Sequence, residues 1–114
     1  MFERDPGGPG LRWPRKEDVM AIYVALGKAT PEGVRHMEDL YPRHQQAVRR
    51  AEEAGGKVLA SYAMGGPYDY LVVLECPDNA TALKILTSEA ARGNVRYETF
   101  AAVPTAEFAQ SLAQ

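Results

Sequence analysis

Residues 65–76 read Gly65-Gly66-Pro67-Tyr68-Asp69-Tyr70-Leu71-Val72-Val73-Leu74-Glu75-Cys76. A Gly-Gly-Pro turn feeds a β-branched and aromatic run that is apolar at nearly every position. Strict alternation marks a strand wet on one face, whereas a continuous run marks a strand covered on both. A chain of 114 residues makes one domain and carries helix enough for one face of a sheet. The expected cover for the other face is a second copy of the chain.

Composition narrows the classes of function. The apolar and charged fractions, 46% and 25%, are those of a globular domain. A formal net charge of −2 leaves no electrostatic footprint for a nucleic-acid partner. The single cysteine, Cys76, excludes an internal disulfide and a thiolate metal cage, and it reads as a small buried hydrophobe. No apolar run approaches the ~20 residues of a spanning helix, so no membrane partner is expected. No charged-then-apolar leader opens the chain, and the expectation is a cytoplasmic protein without a cofactor.

Outward from the central run, the chain divides in two. Residues 1–19 are dense in Pro and Gly and lack periodicity, which reads as an N-terminal tail, either a mobile leader or a segment docked through Trp13 on its own or a neighbouring subunit. Residues 20–114 form the domain. Ala21 to Gly27 is strand one. Thr30 caps a helix that Pro31 opens, with Val34, Met37, Leu40 and Tyr41 as its apolar stripe. Pro42 interrupts that helix, so a kink is expected at Tyr41 with a restart from Pro42. Ala47, Val48, Ala51 and Ala54 face the core, Arg49 and Arg50 with Glu52 and Glu53 face solvent, and Gly55-Gly56 ends the helix. Lys57 to Met64 is strand two, paired as a hairpin with strand three. Pro77-Asp78 stops strand three and caps a helix striped by Leu83, Leu86 and Ala90. Gly93-Asn94 ends that helix. Val95 to Val103 is strand four, and a short C-terminal helix presents Phe108 and Leu112.

The order βαββαβ is the ferredoxin-like split βαβ plan, an α+β fold with a four-stranded antiparallel sheet and helices on one face. Strands one and three are central in that plan. Ile22, Val24, Leu26, Val58, Ala60, Tyr70, Val72, Leu74, Val95 and Tyr97 are assigned to the helix-covered face. Tyr23, Ser61, Asp69, Leu71, Val73, Arg96, Glu98 and Phe100 are assigned to the other. An apolar patch of that size is rarely left open by a monomer, which predicts a homodimer or higher oligomer with sheets packed face to face.

Candidate chemistry is sparse. His36 and His44 stand about 80° apart on a helix, have no carboxylates at ligand spacing, and give no metal site. Asp69 either fixes its tight turn by accepting backbone N–H groups or, with Gly65, Gly66 and Tyr68, lines a small-molecule pocket at a subunit interface. Arg96 and Glu98 share a strand face. They form an ion pair at the rim, or Arg96 holds a ligand carboxylate with Glu98 as proton acceptor. Tyr23, Tyr62, Tyr70 and Tyr97 read mostly as core. No nucleophile–base pair and no phosphate-cradling glycine loop is present.

Several of these stretches together resemble the GYD domain. They are Gly66-Pro67-Tyr68-Asp69, Pro77-Asp78 and Gly93-Asn94-Val95-Arg96-Tyr97-Glu98-Thr99, joined by Thr30, Pro42 and Gly55-Gly56-Lys57-Val58. The resemblance runs from Met20 to Phe108 and departs at Pro67, which stiffens the turn, and at Tyr97, where a small hydroxyl residue is commoner. It implies membership of the dimeric α/β-barrel superfamily. More distantly the chain is similar to the effector domains of feast/famine regulators, which bind amino acids at subunit interfaces, and to cofactor-free monooxygenases, which use the sheet–helix cavity. Fold kinship does not carry chemistry. The leading expectation is a homo-oligomeric small-molecule-binding module. The alternatives are a small cofactor-free enzyme acting on an apolar or aromatic substrate, and a structural subunit of a larger assembly.

Overall fold

A computed structural model describes residues 20–113; the N-terminal stretch and its Trp13 lie outside the described residues. Thr30 and Asp78 set the helix starts by accepting, at their side chains, the backbone N–H groups of Gly33 at 3.0 Å and Thr81 at 2.8 Å. The elements are β1 (Ala21–Ala29), α1 (Pro31–Arg35), a 3₁₀ turn (Met37–Asp39), α2 (Leu40–Glu53), β2 (Lys57–Ala63), β3 (Tyr70–Cys76), α3 (Asn79–Ala90), β4 (Val95–Ala102) and α4 (Thr105–Leu112). The sheet is antiparallel in the order β2-β3-β1-β4. The fold is the expected ferredoxin-like α+β plan with β1 and β3 central.

The kink falls earlier than expected. The first helix ends at Arg35, and α2 starts at Leu40, so Pro42 is its third residue rather than the point of restart. The first-turn N–H groups of a helix have no internal partner, and a proline there costs no bond. One turn further into a helix its ring would strike the carbonyl four residues back. The break therefore comes about a turn before Pro42, not beside it.

The face of β1 is the second correction. Tyr23, Ala25 and Gly27 are buried, whereas Ile22, Val24 and Leu26 are half-buried. Register places Tyr23 opposite Leu74 and Ala25 opposite Val72, on the helix side, and Val24 opposite Val73 and Leu26 opposite Leu71, on the other. Both sets are apolar, so hydrophobicity did not decide between them. Small residues on this side leave room for side chains of the neighbouring strand: a Cβ on Gly27 would already stand 2.9 Å from Val95 Cγ1 of β4. In β2 a register shift between Val58 and Ala60 changes the parity. Val58 and Ser61 then share the helix side with Leu74 and Val72, while Ala60 and Tyr62 join Val73 and Leu71. Ala60 and Ser61 thus exchange the faces assigned from sequence.

The core is Tyr23, Ala25, Ala51, Leu74, Cys76, Ala82, Ile85 and Leu86. The α3 stripe is Ala82, Ile85 and Leu86, while Leu83 and Ala90 are exposed. Val34, Met37 and Tyr41 are exposed as well, because Gly33 is the α1 residue that faces inward. Nor is Tyr62 a core residue: it is 62% exposed. Cys76 is fully buried, and burial pushes its thiol above the ordinary range. Among the described residues no helix is long and apolar enough to cross a membrane.

Candidate functional site

The Gly-Gly-Pro-Tyr-Asp turn joins β2 to β3 at the end of the sheet where β1 finishes. Gly66 has φ +98°, a conformation glycine reaches without strain, and neither Gly65 nor Gly66 has a neighbour within 4 Å of where a Cβ would stand. Asp69 is held and holding at once. Its N–H donates to the Gly27 carbonyl at 2.8 Å, its carbonyl accepts from Met64 N–H at 2.8 Å, and its Oδ2 accepts from Ala29 N–H at 2.8 Å. The carboxylate thereby pairs the last residue of β1 with the turn.

Tyr68 and the end of β4 form a polar rim on the face away from the helices. The Tyr68 hydroxyl donates to Glu98 Oε1 at 3.1 Å, and this bond to a carboxylate raises the phenol above its usual pKa. Lys28 Nζ lies 5.2 Å from the Tyr68 ring centroid, in cation–π range. Register sets Lys28 beside Arg96 and Leu26 beside Glu98. Glu98 is thus bonded to Tyr68, and Arg96 makes no ion pair among the described residues. Of the sequence candidates, Tyr68, Arg96 and Glu98 come together at this rim. Asp69 serves the backbone beside them, and Gly65 and Gly66 form the exposed turn.

Behind the rim the same face is apolar. Ile22, Val24, Leu26, Leu71 and Val73 form its centre, with Phe100, 49% exposed, on the β4 side and Tyr62 on the β2 side. The strip is larger than expected from sequence, because β1 contributes its bulky set here. Exposure then runs unbroken from Val103 through α4, including Phe108 and Leu112.

The helix side holds a cavity of about 520 Å³ between α2, the C-terminal end of α3 and strands β2, β3 and β4. None of the ligand-binding candidates read from sequence (Gly65, Gly66, Tyr68, Asp69, Arg96 and Glu98) lines it. Arg50, read from sequence as a solvated residue, crosses instead to α3: its Nε and Nη2 donate to Glu89 Oε2 and Oε1 at 2.7 and 2.9 Å. The side chains are 29% and 14% exposed, and this bond raises the guanidinium pKa further. Arg92 Nε stands 4.0 Å from the same carboxylate. Arg43 donates from Nη2 to the His36 carbonyl at 2.9 Å, and its Nε is buried without a partner. Tyr97 lines the cavity too, and burial, then the charge of Glu89, pushes its phenol up to about 12. Sequence reasoning missed this group because its members lie far apart in the chain, and no short-range spacing joins them.

Among the described residues no three His, Cys, Asp or Glu side chains gather to hold a metal ion. His36 lies beside Glu32 on α1, 3.3 Å from Nδ1 to Oε2, whereas His44 lines the cavity.

A family model, the GYD domain, matches residues 23–112. The chain is also 33% identical over 92 residues to the "Glutamine synthetase and cystathionine beta-lyase binding protein" of Thermus thermophilus, a match that covers 77% of this chain and 94% of the relative. No solved structure matches. The chain belongs to the GYD domain family.

Proposed function

We propose that this GYD-domain protein is a self-associating binding module. Two copies pack by the sheet faces that the helices leave open. The end of the sheet carrying Gly65, Gly66, Tyr68, Asp69, Arg96 and Glu98 forms the ligand-binding rim at the subunit boundary. The observation that carries the reading is the apolar strip of Ile22, Val24, Leu26, Leu71, Val73 and Phe100, over which no described helix lies. Its flank mixes Lys28 and Arg96 with Glu98, so a two-fold related copy meets charges of both signs. Four strands about 4.8 Å apart and seven residues long cover roughly 450 Å² in plan. A stable interface buries about 800 Å² per partner. The exposed apolar side of α4, with Phe108 and Leu112, extends the surface by lying across the second copy. The name of the Thermus relative supports protein partners as the larger ligands of such a module.

Sedimentation velocity at micromolar concentration tests the self-association. The wild type is expected to sediment as a dimer or larger species. Phe100→Glu places a charge on a half-exposed position and is expected to give a folded monomer with an unchanged circular dichroism spectrum. A monomeric wild type overturns the reading. Partner binding is tested by mixing the protein with purified glutamine synthetase and cystathionine β-lyase. The expected result is a complex that Arg96→Glu weakens, and no complex with either enzyme removes protein partners of that kind.

A further inference from the structure

We infer that the outer edge of β4 is a second self-association surface, which joins two face-packed pairs into a tetramer; this rests on the face pairing proposed above. β4 is the last strand of the sheet, so the backbone groups on its far side have no described strand to bond. Unpaired edges are templates for a further strand, and proteins blunt them with bulges, prolines, lysines or short strands. The opposite edge is blunted in this way, since β2 carries the register shift between Val58 and Ala60. β4 has no such device. It runs from Val95 to Ala102 without proline or lysine and in unbroken register with β1. Arg96, Glu98 and Phe100 along it are exposed.

The residues of β4 select a second copy of β4 and the register in which it pairs. Directly opposite residues of antiparallel strands share a face, so a two-fold axis between two copies passes through a residue and its own counterpart. An axis at Arg96 sets two guanidinium groups opposite each other, and an axis at Glu98 sets two carboxylates; like charges directly opposite destabilise a sheet. An axis at Tyr97 sets Arg96 opposite Glu98 of the second copy, and the symmetry repeats the pair. It also sets Tyr97 on its counterpart, an aromatic pair of the kind that stabilises sheets, and Val95 beside Thr99. Both charges are available. Arg96 has no ion pair among the described residues, and Glu98 spends only Oε1 on Tyr68. Arg96 of the second copy thus completes the Tyr68–Glu98 rim. Joined at this seam, two open faces form one surface of about 900 Å² in plan, against the about 800 Å² that a stable interface buries per partner. The seam itself, Val95 to Thr99, is far smaller than the about 20–30 residues a side of such an interface. It therefore holds only where two face pairs bring two seams together.

Sedimentation velocity of the full chain at high micromolar concentration tests this. The wild type is expected to sediment as a tetramer. Arg96→Glu and Glu98→Arg each set like charges across the seam, and each is expected to weaken the tetramer at least about tenfold and leave dimers. The variant carrying both changes restores opposite charges and is expected to regain the tetramer, which the mere loss of a ligand contact would not allow. Val95→Cys combined with Thr99→Cys places cysteines opposite each other across the seam, within disulfide reach. Under oxidation this variant is expected to run as a covalent dimer on a non-reducing gel, whereas either single cysteine variant is not. Cys76 is fully buried and does not compete. A wild type that stops at the dimer overturns this inference and leaves the face pairing standing, whereas a monomer overturns both. A tetramer indifferent to both reversals, a double reversal that fails to restore it, or the absence of the cross-link would each overturn the seam.

Discussion

Replacing Asp69 separates a structural clamp from a ligand contact. In the wild type Asp69 Oδ2 accepts the Ala29 N–H at 2.8 Å, while the backbone of Asp69 makes its own bonds to Gly27 and Met64. Alanine at this position removes only the side-chain acceptor. Hydrogen bonds to charged groups contribute about 1.5–3 kcal/mol, and the Ala29 N–H is left to find water at the end of a central strand. The expected loss is therefore about 1.5–3 kcal/mol, or roughly 6–12 °C in Tm for a domain of this size. Asp69→Asn keeps an oxygen in place and should lose about half as much. Urea denaturation at one fixed protein concentration is the assay, because self-association would otherwise enter the measured stability. The midpoint should fall while the slope stays constant. An alanine variant within about 0.5 kcal/mol of wild type would refute the clamp and leave Asp69 a purely functional residue.

Three further outcomes are expected. Gly33→Ala should destabilise by about 1–3 kcal/mol in thermal melts although alanine is the better helix former, because the new Cβ would meet the Asn94 carbonyl oxygen at 2.2 Å; a stabilised variant would contradict that packing. Arg50→Gln should cost about 1–3 kcal/mol by urea denaturation, since Glu89, 14% exposed, would keep its charge without the bidentate partner. Between pH 10 and 12 the folded Tyr97, with its pKa near 12, holds a proton that the unfolded chain releases near 10. Stability should then be full below pH 10 and fall as pH rises towards 12, and Tyr97→Phe should flatten that slope in pH-dependent melts.

The order of elements was legible because punctuation residues act locally. Thr30-Pro31, Gly55-Gly56, Gly65-Gly66-Pro67 and Pro77-Asp78 each force a start or a stop whatever the tertiary context. The facing of β1 was not legible, because Ala21, Tyr23 and Ala25 compete with Ile22, Val24 and Leu26 and both sets are apolar. The facing is settled by tertiary packing, as where Gly27 makes room for Val95 and Tyr97 of β4. The rim partly followed from sequence, since Arg96 and Glu98 lie two apart on one strand and point the same way. The bond of Tyr68 to Glu98 required the β4–β1–β3 register. The cavity group was hidden for a deeper reason. Arg50 meets Glu89 across 39 positions, and in sequence Arg50 sits among charges that look solvated.

Strand order also governs how the chain reaches its native state. β1 lies between β3 and β4 and does not touch its neighbour in sequence, β2. Among the described residues the only sheet pairing between consecutive strands is the β2–β3 hairpin. Closing the middle of the sheet means bringing Ala21 to Cys76 and Ile22 to Ala102, and the entropy of such long loops is lost before the contacts repay it. During synthesis the first strand has to wait, with its oily sides unmatched, until Tyr70–Cys76 and then Val95–Ala102 have followed it. That interval is when a chaperone would find this protein most in need of help.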